Sequence, residues 1–166
     1  MIRELESVQR SFTKRIDGMQ DLDYHTRLQR LKLYSLERRR DRYIIIYVWR
    51  VINGFSPNLD SSQIRTQNDD GRRGLECVVP PLIAASGRLQ TICECSLAVN
   101  GPRLFNCIPK DLREFRGSPD AFKGRLDKFL QGIPDKPVLV GQPQSVNCNS
   151  VNSRVNELRQ ENPLIR

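Results

Sequence analysis

The segment from Leu36 to Asn53 limits the possible folds most. It runs LERRRDRYIIIYVWRVIN, eighteen residues with no proline or glycine. Ser35 can cap its start, and Gly54 supplies the left-handed residue that commonly ends a helix. Leu36, Tyr43, Tyr47 and Val51 recur at helical spacing and form one stripe, flanked by Ile44 and Val48. Ile45, Ile46 and Trp49 widen the apolar surface nearly all the way round, which implies cover by several neighbours rather than one. The β-branched and aromatic run 43–49 also suits a buried strand. Unbroken length favours a helix over 36–53.

Two helices are predicted ahead of it. Leu5, Val8, Phe12 and Ile16 recur three and four apart, giving a helix over 3–17 that stops at Gly18. Asp23 can cap a second over 23–34, with Leu28, Leu31 and Tyr24 facing inward. The polar stretch 56–74 reads as a loop, and alternation over 74–79 and 88–95 predicts a small β-hairpin. A turn-rich stretch follows, with Pro109 at the first position of a short helix containing Leu112. Ser118-Pro119-Asp120 starts a helix over 119–131, striped by Phe122, Leu126, Phe129 and Leu130 and ended by Gly132. Beyond Pro134 large apolar residues are few, so 137–166 reads as a largely disordered tail with a marginal helix at 151–160. The expected fold is α+β, mainly α: one domain over 1–136 with an N-terminal three-helix unit, and the tail.

Charge is distributed unevenly. Residues 27–50 hold eight of the 27 basic residues against two acids, a local +6 out of the whole-chain +8. Arginines concentrated beside a core-forming run suggest a folded surface that meets a polyanion. On a helical wheel Arg38, Arg42 and Trp49 share one side, suited to phosphates and exposed bases. The competing reading is a solvated face whose long stems cover a hydrophobic helix. Arg40 falls near the apolar stripe and reads as paired with a core acid or carbonyl. The candidate phosphate contacts are Arg27, Arg30, Lys32, Arg38, Arg39 and Arg42, with Trp49 a weaker candidate for stacking.

Chemistry finds little support. Asp69-Asp70 could hold a divalent ion if a tight hairpin presented the pair, but with no strand residues beside it a turn is the better reading. Cys93 and Cys95 lack paired ligand groups, and the single histidine, His25, is far away in sequence; buried thiols on one strand face explain them better than zinc. No phosphate-binding glycine loop or nucleophile motif occurs. The expected protein has no catalytic residues, no metal, no cofactor and no small-molecule substrate. The longest strongly apolar run, seven residues, is too short to cross a bilayer. The N-terminal stretch is charged from its third residue, unlike a signal peptide, so an intracellular location, nuclear or cytoplasmic, is expected.

Four strings in order, LESVQRSFTKRI, YHTRLQRLKLYSLERRRDRYIIIYVWRVING, GPRLFNCIPKDLR and FKGRLDKFLQGIPD, resemble the region after the polymerase core in reverse transcriptases of non-LTR (LINE-type) retrotransposons, especially jockey-like elements. The resemblance covers about 1–136. It implies a thumb-like and C-terminal piece of a longer RNA-directed DNA polymerase, whose helices help hold a template–primer duplex of RNA and DNA. The aromatic-x-Asp-Asp signature is missing, since Gln67 stands where its aromatic would be. Polymerisation needs carboxylates converging on two metal ions, so the chain by itself is not expected to polymerise. Two alternatives stand beside this: a helical protein–protein module docking an acidic partner or the polymerase body, and a functionless relic.

Overall fold

The computed structural model describes residues 2–56, 64, 66–69, 74–81, 87–137 and 149–161. In chain order the elements are α1 (Ile2–Lys14), α2 (Tyr24–Arg30), α3 (Leu36–Ile52), β1 (Thr66–Asp69), β2 (Gly74–Cys77), α4 (Gly87–Cys95), α5 (Leu97–Cys107), α6 (Lys110–Arg113), α7 (Pro119–Gln131) and α8 (Val151–Glu161). This is the mainly helical α+β class. The chain divides into two compact units, one of 1–41 with 132–166 and one of 42–131, the division falling inside α3. Each unit carries a net charge of +4, from 14 basic against 10 acidic residues in the first and 13 against 9 in the second.

The local helix signals act as read. Asp23 caps α2 by accepting from the Thr26 N–H at 3.1 Å. The Ser35 hydroxyl accepts from the Arg38 N–H at 3.1 Å at the head of α3, and Gly54, at φ +73°, follows its end. Ser118 caps α7, which buries Phe122, Leu126 and Leu130. Within α3 the buried side chains include Ile45, Ile46, Val48, Trp49 and Val51, so the strand alternative for 43–49 falls. Tyr43 of the expected stripe is exposed.

Several expectations are corrected. Residues 88–95 do not form a strand: they are α4, because Leu89 and Ile92 also fit helical spacing, and β2 finds its partner elsewhere. That partner lies within the polar stretch read as loop. β1 pairs antiparallel with β2, Thr66 opposite Cys77 and Asp69 opposite Gly74. Asp69 therefore ends a strand, while Asp70 lies outside the described residues. The Asn106 amide fills both backbone groups of Cys77, accepting from its N–H and donating to its carbonyl, each at 2.8 Å. This fixes β2 against α5 and outweighs the weak strand propensity of Thr-Gln-Asn-Asp. The stretch read as turns is largely α5, which runs through Gly101 and Pro102. Burial of Val99, Leu104, Phe105 and Cys107 overrides the two breakers. A Cβ on Gly101 would stand 3.0 Å from Val48 Cγ2, so glycine there permits close approach to α3.

The two units have different interiors. Among the described residues, the second buries sixteen apolar side chains, including Trp49, Phe105, Phe122 and Leu126, in an ordinary hydrophobic core. Among the described residues of the first, five apolar side chains are buried (Tyr24, Leu28, Ile133, Val151, Val155) beside seven polar ones: Glu6, Thr13, Arg27, Ser35, Arg38, Asp41 and Asn149. Directed hydrogen bonds therefore define its packing. Helix α1 follows the same logic and turns its apolar stripe outward. Leu5, Val8 and Phe12 are 51%, 66% and 67% exposed, while Glu6 and Thr13 are buried. The Glu6 carboxylate accepts from the Tyr24 hydroxyl at 2.5 Å and from the Leu36 N–H at 2.9 Å, which a leucine could not do.

The helix read as marginal at 151–160 is present as α8. It buries Val151 and Val155 and belongs to the first unit. Of the stretch read as a disordered tail, 138–148 and 162–166 lie outside the described residues. Among those described, no helix is long and apolar enough to cross a membrane.

Candidate nucleic-acid interface

Two of the six candidate phosphate contacts, Arg27 and Arg38, are internal, and a third, Arg42, is held in an ion pair. Arg38 is fully buried, donating from Nη2 to the Pro134 carbonyl at 2.8 Å and from Nη1 to the Ile133 carbonyl at 3.4 Å. Burial lowers its pKa from the usual arginine value, an effect opposed by Asp135 and Asp41. Arg27 is buried as well: Nη1 donates to the Leu22 carbonyl at 2.5 Å, Nη2 to the Arg10 carbonyl at 3.3 Å and Nε to the Thr13 hydroxyl at 3.3 Å. Arg42 makes a two-point pair with Asp127, Nε to Oδ1 at 2.6 Å and Nη2 to Oδ2 at 2.8 Å. All three are structural, and their assignment as phosphate contacts is corrected. Burial keeps Arg27 and Arg38 from reaching a phosphate, and Arg42 has its charge matched by the Asp127 carboxylate.

Trp49 is likewise not available to a base. It is fully buried between Phe122, whose ring centroid is 4.4 Å away, and Phe55, at 5.4 Å. Its indole N–H donates to the Phe115 carbonyl at 3.1 Å.

The remaining candidates keep their charge at the surface. Arg30 ends α2 and is exposed, Lys32 is exposed in the turn that follows, and Arg39 is half-buried in the first turns of α3. Their side chains enter no hydrogen bond or ion pair with a described residue. Arg40, read from the wheel as a core partner, is exposed instead. The helix is rotated so that Arg38, Asp41 and Ile45 face inward, which puts Arg40 outside. Of the five cations within residues 30–40 of the first unit, four thus reach the surface and Arg38 does not. Lys32 sits at φ +53°, an uncommon value for a side-chain-bearing residue. Arg10 and Lys14 on α1, and Arg15 just after it, are exposed too.

A ring of side chains anchors this surface from beneath. Asp135 accepts from the Ser35 N–H (2.8 Å), the Ser35 hydroxyl (2.7 Å) and the Asn149 amide (2.7 Å), and its backbone carbonyl lies 2.7 Å from His25 Nδ1. Asp41 accepts from the Val151 N–H at 2.8 Å, at the head of α8. Burial pushes the Asp41 carboxyl up to about 6, with Glu37 adding to the rise and the Val151 N–H, Arg38 and Arg40 opposing it. Sequence could not have found these partners, because Asp135 and Val151 lie about a hundred residues from the groups they hold.

Among the described residues no group of three or more His, Cys, Asp or Glu is placed to hold a metal ion. Helical geometry separates Cys93 from Cys95, so the shared strand face expected for them is lost; Cys93 is half-buried and Cys95 exposed. No protein-family model matches the chain, and no curated protein or solved structure matches it.

Proposed function

We propose that this chain is a non-catalytic, mainly helical piece of a non-LTR retrotransposon reverse transcriptase that grips nucleic acid by its phosphates, without reading base sequence. The ordered strings quoted above support the family reading. The observation that carries the binding is the set Arg30, Lys32, Arg39 and Arg40, cations held at the surface by a frame that has used Arg27 and Arg38 internally. Such contacts release counterions, and each one lost lowers the salt slope of duplex binding by about 0.9. Titrating an RNA–DNA hybrid at several salt concentrations against Arg30→Gln, Lys32→Gln, Arg39→Gln and Arg40→Gln tests this. Stepwise loss of slope supports it. No binding at low salt, or binding indifferent to salt, overturns it.

A second reading has one specific observation in its favour. The outward stripe of Leu5, Val8 and Phe12 on α1 suits a helical docking module whose partner is the polymerase body. Ile45, Ile46 and Trp49 are buried and offer no such patch. Self-association that persists in high salt and disappears in Leu5→Ser/Phe12→Ser would favour docking. A monomer at every salt concentration would count against it.

A further inference from the structure

The second unit contains a cluster of arginines and aromatic rings distinct from the basic residues 30–40 of the first. Phe122, Trp49 and Phe55 form a ladder of nearly parallel rings, with centroids 4.4 Å and 5.4 Å apart and interplanar angles of 7° and 13°. Two of the three are fully buried, whereas Phe55, the last ring, is 40% exposed. Two exposed arginines, Arg50 and Arg116, stand beside that end, and a third, Arg125, lies over Phe115, which packs on Trp49 and Phe122. Arg50 Nη2 donates to the Phe55 carbonyl at 3.2 Å. Arg116 Nη1 donates to the Asn53 side-chain oxygen, and Asn53 in turn donates to the Trp49 carbonyl at 2.8 Å. The Arg125 guanidinium carbon lies 4.3 Å above the Phe115 ring, and Phe115 accepts the Trp49 indole N–H at its carbonyl.

What the three arginines rest on is informative. Arg42, Arg113 and Arg154 each face a carboxylate, Asp127, Glu76 and Glu157 respectively, and are neutralised. By contrast, Arg50, Arg116 and Arg125 rest on a carbonyl, an amide oxygen and a ring face. Among the described residues none of them has an acidic partner. Neutral supports orient a guanidinium without cancelling its charge, and the remaining N–H donors stay available to an incoming anion. Exposed arginines flanking a ring stack whose last member is exposed combine the two features that bind single strands: cations for the backbone and a π-face for a base.

We infer that Phe55, Arg50, Arg116 and Arg125 form a site for an unpaired nucleotide of single-stranded RNA or DNA. The base lies on Phe55 and the flanking phosphates meet the arginines. A paired base within a duplex has both faces covered by its neighbours and its pairing edge occupied, so this site selects unpaired nucleotides. An acidic peptide would satisfy the charges but would have no use for the ring ladder. The inference rests on the reading of the chain as a nucleic-acid binder, and it adds a second contact of different specificity to the phosphate-gripping residues 30–40.

The test uses the full chain with labelled oligothymidylate and, separately, a blunt RNA–DNA hybrid of equal length. Phe55→Ala should weaken oligothymidylate binding about tenfold with an unchanged salt slope, and leave the hybrid alone. Phe55→Tyr should restore the affinity. Arg116→Gln/Arg125→Gln should lower the single-strand salt slope by about 0.7 for each arginine removed. All four side chains have exposed surface, and a helical circular-dichroism melt matching the parent shows that each variant folds. If the parent binds both ligands and Phe55→Ala changes neither, or weakens both equally, this site is overturned while the broader reading survives. If the parent binds neither at low salt, both fall. If polyglutamate displaces oligothymidylate equally well from parent and Phe55→Ala chains, the patch is a protein-docking surface and the proposal is wrong.

Discussion

Asp127 grips Arg42 at two points, with both carboxylate oxygens engaged at 2.6 and 2.8 Å, so that α3 and α7 are joined within the second unit by a charge-assisted pair. Both side chains are partly exposed, which keeps the contribution well below that of a fully desolvated pair. Asp127→Asn and Arg42→Gln should each lower stability by about 1 kcal/mol, and the double variant should cost less than their sum. Denaturant melts check the cycle. Nucleic-acid salt slopes should not change.

Arg38 presents a harder case for substitution. Arg38→Met preserves much of the bulk but leaves the Ile133 and Pro134 carbonyls without their donor. The expected loss is about 2–3 kcal/mol, read from urea midpoints. The salt slope for hybrid binding should equal that of the parent. A fall of one phosphate contact would instead return Arg38 to the surface.

The C-terminal helix should prove structural. Deleting residues 149–166 removes the Val151 N–H from Asp41 and the Asn149 amide from Ser35 and Asp135. It also uncovers the space filled by Val151 and Val155. A loss of about 3 kcal/mol or more is expected, visible as a lower melting temperature. An unfolded tail could be removed with no change.

Acidity acts through Asp41. A carboxyl whose folded-state pKa lies above its unfolded value binds its proton more tightly in the folded chain. Its contribution is therefore most favourable below about pH 4 and is lost as pH rises to about 6. Glu6 shifts in the same direction, chiefly through burial. The Asp41 part amounts to at most about 3 kcal/mol. Asp41→Asn keeps an acceptor for the Val151 N–H, and it should flatten the fall in stability between pH 4 and 6 and stabilise the chain at pH 7. Urea melts across that range measure it.

The thiols should sort by burial. Desolvation pushes Cys77 up to about 12, and Cys107 is buried with its Sγ donating to the Leu104 carbonyl at 2.9 Å. Brief maleimide treatment followed by peptide mass mapping should label exposed Cys95 and leave Cys77 and Cys107 unmodified until the chain is unfolded.

The sequence by itself determined what local chemistry can determine. Asp23, Ser35 and Ser118 begin helices, Gly54 follows the end of one, and uninterrupted length makes 36–52 a helix, because caps and breakers act within a few residues of themselves. Only the tertiary structure decided the fate of the charged groups. Whether an arginine faces water or the interior depends on acceptors such as Asp127, Ile133 and Pro134, which lie 85 to 96 residues away along the chain. The same holds for α1, whose apolar stripe points outward because Glu6 and Thr13 meet Tyr24, Leu36 and Arg27 on the other side. It holds too for β1, a polar segment that becomes a strand because β2 offers its edge. Hydrophobic periodicity fixes which residues share a face, but a buried hydrogen-bond network chooses which face turns inward, and its partners meet only after the chain has folded.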